Sequence, residues 1–384
     1  MGSALENLRV ADFSRVLAGP FATMLLADLG AEVTKVERPG GGDETRAWGP
    51  PFDERGEATY FQSVNRNKRS VVLDLADPAD QARARELALD ADVLVENFRP
   101  GVMDRLGLGY EQLRAENPAL VYCSITGFGR GAGAVVPGYD LLVQALGGLM
   151  SITGSPDGEP QKVGVALVDV LAGAFSTVGI LAALEHRRSS GEGQRVEVNL
   201  LLSLLAALVN QGSAYTAGGV VPMRMGNDHP SIAPYGLMRA ADGELVVAVG
   251  NDRQFAALCE VIDAPQLAGE ARFATNDARV NNRGALRAEL ERRLGTRSAD
   301  AWVASLREAR VPAGVVNDVA AAFGLAESFG LDPVVDIVRD DGTSVRLTRN
   351  PIGLSATPPG YRTAPPRLDD HVVADHRNEE GADA

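Results

Sequence analysis

The sequence predicts an α/β protein: a doubly wound, mostly parallel sheet in a large domain, followed by a smaller α/β domain. Three observations carry this. Short apolar, β-branched runs alternate with helix-patterned segments from residue 8 to about 150, the signature of parallel strands joined by crossover helices. The composition changes near Leu237, where a new strand–helix series begins. The 384 residues are enough for two domains with a large core.

LRVADF reads as the first strand, SRVLAGP as a loop with Pro20 suited to a first helical turn, FATMLLADLGA as a helix and EVTKVER as a second strand. This βαβ unit, closed by Glu37, invites a dinucleotide-binding reading. The loop holds a single Gly19 where three spaced glycines are needed, so no nicotinamide is expected. A Gly/Pro-rich loop carrying Trp48 follows. VVLDL is then a strand, PADQARARELALDA a helix with Asp77 as its cap and Pro78 in its first turn, and DVLVENF a strand. LVYCSITGFG adds another strand with a glycine loop, and PGYD introduces the helix DLLVQALGGLMSITG.

Val163–Ser190 opens with strand-like VGVALV and reaches one acid, Asp169. It then runs on as an apolar helix to Leu184, ending in Arg187, Arg188 and a stopping Gly191. Asp169 is thus expected where a strand hands over to a buried helix. A carboxylate there is paired, used or an N-cap, and on local preference alone the cap leads. RVEVNLLLSLLAALVNQ is a strand merging into a second apolar helix, and YTAGGVVPMRMGNDHPSIAPYG breaks the pattern. The domains read as 1–215, 225–315 and a returning, Pro-rich 316–384 with a DDG hairpin turn.

A net charge of −14 and a pI near 4.9 argue against a nucleic-acid partner or an anionic membrane surface, while leaving room for a local basic pocket. Cys123 and Cys259 stand in apolar contexts and read as buried free thiols; no disulfide framework or metal spacing exists for them or the four histidines, so no metal is expected. No signal-like segment precedes the first strand. Val163–Leu184 is long enough to imitate a membrane span, but Asp169, Gly164, Gly173, Gly179 and Ser176–Thr177 mark a close-packed core helix. A cytoplasmic protein without membrane partners is expected.

Basic residues gather at strand and loop ends: Arg38 in VERPG, NRNKRS (65–70), ENFRPG (96–101) and Arg105. Arginine forks suit phosphate oxygens, which points to a multiply phosphorylated ligand; scattered surface arginines are the plainer alternative. The order of motifs is more specific than any one of them. VADFSRVLAGPFATMLLADLGAEVTKVERPGGGDETR, NRNKRSVVLDL, ADVLVENFRPGVMDRLGLGY, SITGFG, PGYDLLVQALGGLM and the Asp169 stretch, followed by GNDHPSIAPY, NPIGLS and APPRL, closely resemble the family III CoA-transferases from Leu5 to about His371.

The resemblance implies an interlocked homodimer whose large domain is Rossmann-like and built from both ends of the chain, with coenzyme A as acyl-CoA co-substrate and a small carboxylic acid as partner. Leu17, Ala18 and Arg38 would border the nucleotide. Leu73, Asp74, Leu75 and Ala76, with Asn97, Phe98 and Arg99, would line adenosine and phosphates. Arg105 would hold phosphate and Tyr139 would lie near the thioester. The nucleophilic aspartate falls on Asp169, forming first an aspartyl-acyl anhydride and then an aspartyl-CoA thioester. With an ordinary aspartate pKa it would already be ionised at neutral pH.

Backbone N–H groups should hold the oxyanion, and Gly226–Pro230, with Asn227 and His229, is the candidate for the family's mobile glycine loop, though it has one glycine where relatives carry several. Leu17 replaces a polar glutamine and argues for an acid less polar or larger than oxalate. Trp48 is a second candidate for the acyl site, and Asp140 reads as a cap on its own helix. The same fold hosts 2-methylacyl-CoA racemases, which place a His where this chain has Tyr139, a poor base at neutral pH. A non-catalytic CoA-binding protein would have no need of Asp169.

Overall fold

The computed structural model describes residues 2–369 and divides the chain into two compact units. The first takes in Met1–Leu149, Val163–Gly219 and Asp332–Ala384, the second Met150–Lys162 and Val220–Leu331. The end of the 316–384 segment lies outside the described residues.

In the first unit, strands β1 (Arg9–Asp12), β2 (Glu32–Glu37), β3 (Lys68–Val72), β4 (Val93–Glu96), β5 (Val121–Thr126) and β6 (Arg195–Asn199) form one parallel sheet in the order β3-β2-β1-β4-β5-β6. A parallel sheet is covered on both faces, and at its centre all four residues of β4 are buried. The order reverses between β1 and β4, so a crevice opens beyond their carboxyl ends. Helices α1 (Ala18–Asp28), α2 (Pro78–Asp90), α3 (Asp140–Leu146), α4 (Leu167–Ser190) and α5 (Leu200–Ala207) pack around the sheet. Asp77 caps α2 through the Ala79 and Asp80 N–H groups, with Pro78 at its start, as the sequence indicates.

Some expected elements differ. The Val163–Ala166 run is no strand: Gln144 holds it, accepting from the Val163 N–H at 2.9 Å, and the helix begins only at Leu167. Nor is α4 wholly interior. Val168, Ala172, Gly173, Ser176, Thr177, Ile180 and Ala183 are buried, whereas Phe175 and Val178 are 43% and 64% exposed. DLLVQALGGLMSITG is interrupted at Gly147–Gly148, where Gly148 takes φ +85°. Strand β3 begins at Lys68 rather than Val71, which draws Lys68 and Ser70 into the interior. Cys123 and Cys259 are buried free thiols, as expected, and burial raises both, to about 12 and about 11.

The tail forms the hairpin Val334–Val338/Ser344–Thr348 around Gly342 at φ +81°. It then returns along α1. Asp28, fully buried at the end of α1, accepts from Arg66 through both carboxylate oxygens (2.9 and 2.6 Å), from Asn67 (2.8 Å) and from Asn350 (3.0 Å). Arg362 donates to the Ala27 and Ala31 carbonyls.

The second unit is an antiparallel sheet, β7 (Tyr235–Arg239), β8 (Glu244–Ala248) and β9 (Ala313–Val315), packed with helices around Phe255, Leu258, Phe273, Leu290 and Trp302.

Candidate active site

The crevice at the strand reversal holds the chemistry. Beyond β1 the chain runs through Ser14–Leu17 into α1, and beyond β4 through Asn97–Pro100. Asn97 ties the two together: its Oδ1 accepts from the Arg15 N–H (2.9 Å) and its Nδ2 donates to the Arg15 carbonyl (2.7 Å). The Arg15 guanidinium lies 4.9 Å from the Phe98 ring centre. The start of α1 packs directly on α4, so closely that a Cβ on Gly173 would lie 2.6 Å from the Ala18 carbonyl oxygen. Only glycine permits that approach.

Asp169 sits in the first turn of α4, three residues past the N-cap Ala166, and makes no cap. The capping role falls to Asp140, which does not cap its own helix. Its Oδ2 accepts from the Val168 (2.8 Å) and Asp169 (3.2 Å) N–H groups, while Gln144 donates to its Oδ1 at 2.5 Å. This corrects both cap readings. With another carboxylate satisfying the helix end, that of Asp169 accepts no hydrogen bond among the described residues. Burial, and then the like charge of Asp140, push it up to about 7. It is therefore not fully ionised at neutral pH, contrary to the sequence expectation.

Were Asp169 to attack the thioester it would have to be ionised, and kcat/KM would then fall about tenfold per unit below pH 7. Asp140→Asn keeps an oxygen for the helix end and removes the charge, so it should move this acid limb to lower pH. A pH–rate profile in which D140N leaves the limb in place, or moves it upward, would remove Asp140 from the electrostatics of the site.

Asp169 shares a cleft of about 100 Å³ with Ala18, Asn97, Phe98, Arg99, Pro100, the end of β5 and the 127–129 turn after it, Gly138 and Leu200. Five predicted residues thus come together there: Ala18, Asn97, Phe98, Arg99 and Asp169. Leu17 is buried at one side in an apolar cluster with Met24 and Val64, against which Ala166 and Val170 pack. Tyr139, 67% exposed, is the N-cap of α3 beside the cleft-lining Gly138. Arg38 and Arg105 are exposed; Arg38 donates to the Gly42 carbonyl. Leu73 is a core residue, and Asp74, Leu75 and Ala76 form the turn after β3. Gly226, Asn227 and His229 belong to the second unit. There Gly226 takes φ +61° and His229 Nδ1 accepts from the Ser231 N–H.

NRNKRS does not lie at the carboxyl ends of the strands: it runs into β3, which begins at Lys68, at the sheet's amino edge. Two of its basic side chains are paired internally, Arg66 with Asp28 and Lys68 with Asp12 at the end of β1. A larger hollow of about 700 Å³ also lies at that amino edge, beside Ala31–Val33 and Lys68–Arg69, and holds none of the predicted site residues.

Tyr60 is the residue the sequence reading missed. It packs on the Leu17, Met24 and Val64 cluster together with Ala166 and Val170, and burial, then the negative charges of Asp169, Asp140 and Asp43, raise its hydroxyl above the ordinary tyrosine range. Trp48 meets its ring edge-on at 5.3 Å. Nothing in YFQSVN distinguishes this tyrosine from a packing residue.

Comparison with known proteins identifies the family. Residues 5–372 match the description of CoA-transferase family III. A succinate–glutarate CoA-transferase of Agrobacterium fabrum is 44% identical over 96% of this chain and 93% of its own. An acetyl-CoA:oxalate CoA-transferase of Acetobacter aceti is 42% identical over 96% and 94%. The crystal structure of a CAIB/BAIF family protein from Brucella suis superposes with a TM-score of 0.86 at 43% identity, covering 97% of this chain and 98% of that one. The chain is a member of CoA-transferase family III, and an enzyme that uses CoA thioesters.

Proposed function

We propose that this enzyme moves CoA from succinyl-CoA or a similar short donor to a small dicarboxylic acid, with Asp169 as the covalent carrier. The observation that carries the reading is a carboxylate without a hydrogen-bond partner among the described residues, in a cleft at the sheet reversal that the first residue of α1 also lines. The Asp169 oxygen attacks the thioester carbonyl carbon, the C–S bond breaks, and CoA leaves as thiolate, giving a mixed anhydride. The thiolate then attacks the aspartyl carbonyl carbon and expels the donor acid, leaving an aspartyl-CoA thioester. The incoming carboxylate reverses both steps, and no proton is gained or lost.

Each tetrahedral intermediate carries an oxyanion. The Ala18 and Gly19 N–H groups, without partners among the described residues at the positive end of α1, would hold it; of the two residues, Ala18 lines the cleft. Asn97, Phe98 and Arg99 at the cleft rim, with Arg38, Arg105 and the 73–76 turn, would hold the nucleotide. The names of the relatives support a dicarboxylic acceptor.

Incubation with succinyl-CoA and labelled glutarate, oxalate and longer acids tests the reading. Label entering acyl-CoA in proportion to acid released supports it. Deuterium uptake at the α-carbon of a 2-methylacyl-CoA without acid exchange would replace it with racemisation.

The working unit is proposed to be a homodimer. Phe175 and Val178 on α4 and Leu202 and Leu205 on α5 expose large apolar side chains (43%, 64%, 61% and 44%) that a second copy would cover. Sedimentation at micromolar concentration is expected to show one species of twice the chain mass; a monomer that still exchanges acids would refute it.

A further inference from the structure

The Ser14–Leu17 loop is held in a conformation its sequence disfavours. Val16 has φ +69°, and a β-branched residue in the left-handed region is a genuine outlier that persists only where its surroundings impose it. Two fully buried ion pairs surround this loop. Lys68 Nζ reaches Asp12 (3.1 Å), the Pro20 carbonyl (2.9 Å) and Asn65 (3.0 Å), while Asp12 also accepts from Thr23 and from the Ser14 hydroxyl and N–H. Lys35 Nζ bridges the Ser14 carbonyl (2.8 Å) and Asp43 (2.9 Å). Asp43 then accepts from the Val16 N–H, 3.3 and 3.2 Å from its two oxygens, and from Thr45.

Two of the chain's three lysines are spent here, far from the surface where lysine is normally found. Burial alone would raise Asp43, but the Lys35 charge and the hydrogen bonds from Lys35 and Thr45 more than offset it, so Asp43 stays below the usual carboxylate range and ionised. Buried ion pairs are poor contributors to stability, since apolar replacements often serve as well. A role in geometry accounts for them better.

We propose that Asp43, anchored by Lys35, is a positioning residue of the transfer: by holding the Val16 N–H it fixes the left-handed turn that aims the first amides of α1 at the reacting carbonyl beside Asp169. The inference rests on the reading of Asp169 given above. It requires that loss of the clamp act on the transition state rather than on acyl-CoA binding, because the oxyanion exists only there.

Steady-state exchange is measured on Asp43→Ala and Asp43→Asn, with the folded fraction taken from calorimetric melts. D43A is expected to lose on the order of 100-fold in kcat per folded enzyme with little change in KM for acyl-CoA, a loss in line with a misplaced catalytic group. D43N keeps an acceptor and should lose less. Val16→Gly in the D43A background should recover part of kcat, since glycine takes φ +69° without the steric cost.

Folded D43A or D43N with wild-type kcat, a loss confined to KM, or a D43A defect that V16G does not relieve would each overturn the proposal. If D43A does not fold, the kcat of D43N against D43N/V16G decides. Wild-type enzyme that exchanges no acid, or an Asp169→Ala variant that matches wild type, would instead sink the reading of Asp169 and is scored separately.

Discussion

Asp169→Ala is expected to lower acid exchange by on the order of 10⁴-fold or more, the scale on which enzymes lose rate when a nucleophile is removed. Intact-protein mass spectrometry should at the same time lose the aspartyl-CoA adduct formed with donor alone. The structure adds a second, less obvious expectation, that removing this charge stabilises the fold. The folded-state pKa of Asp169 is raised from 3.8 to about 7, so the folded state binds this proton more tightly than the unfolded chain does. Its favourable contribution is complete below the unfolded pKa and is lost as pH rises through about 7.

Asp169→Asn should therefore melt higher than wild type above pH 7, with the gap closing toward pH 4. Differential scanning calorimetry at pH 5 and pH 8 reads this directly. Had Asp169 been an N-cap, asparagine would be nearly neutral and alanine would cost about 1 kcal/mol at either pH. A D169A variant that melts lower than wild type by a pH-independent margin, with exchange intact, would return the residue to that structural role. A higher-melting, inactive D169N would be the trade of stability for function met at many active sites.

Much of this arrangement was legible in the sequence, and the parts that were not share a physical cause. The parallel strands show because their buried, β-branched residues recur as short runs between turn residues, most plainly in β4, buried at all four positions. α2 shows because Asp77 and Pro78 mark its start locally. The Val163–Ala166 run has the same β-branched composition as a strand yet pairs with none; what holds it is the side chain of Gln144, which lies 19 residues earlier. Asp140 follows the local rule for capping residues, but the N–H groups it satisfies belong to Val168 and Asp169, 28 and 29 residues on. Lys35 and Lys68 stand among other polar residues, in EVTKVE and NKRS, as exposed positions do, and only their distant partners Asp43 and Asp12 make their burial possible. Asp169 itself could be named from the order of the motifs around it. Its raised pKa could not, because it depends first on the burial the fold imposes and then on a second carboxylate, Asp140, brought close by it.

The second large effect concerns the return of the chain's end. Asp28→Ala is expected to cost about 3–5 kcal/mol of folding stability, because removing one partner of a buried ion pair leaves an uncompensated charge. Arg66, whose side chain is 3% exposed, would lose both its hydrogen bonds to the carboxylate, and Asn67 and Asn350 would each lose one. Arg66 would keep only the Thr348 carbonyl, 2.9 Å away. The damage should be felt where the returning segment meets α1, so limited proteolysis should cut near Asn350 sooner in D28A than in wild type.

The double variant D28A/Arg66→Leu separates charge from packing. If the cost is the stranded guanidinium, the double variant should be more stable than D28A alone, since an apolar side chain needs no partner there. If D28A and Arg66→Leu instead add their losses in full, measured by equilibrium denaturation, the cluster acts as independent contacts and the ion-pair argument fails. Either result bears on the active site. The same α1 that Asp28 secures at its end presents Ala18 to the Asp169 cleft at its start, so a loosened end should also lower kcat at temperatures well below the melt.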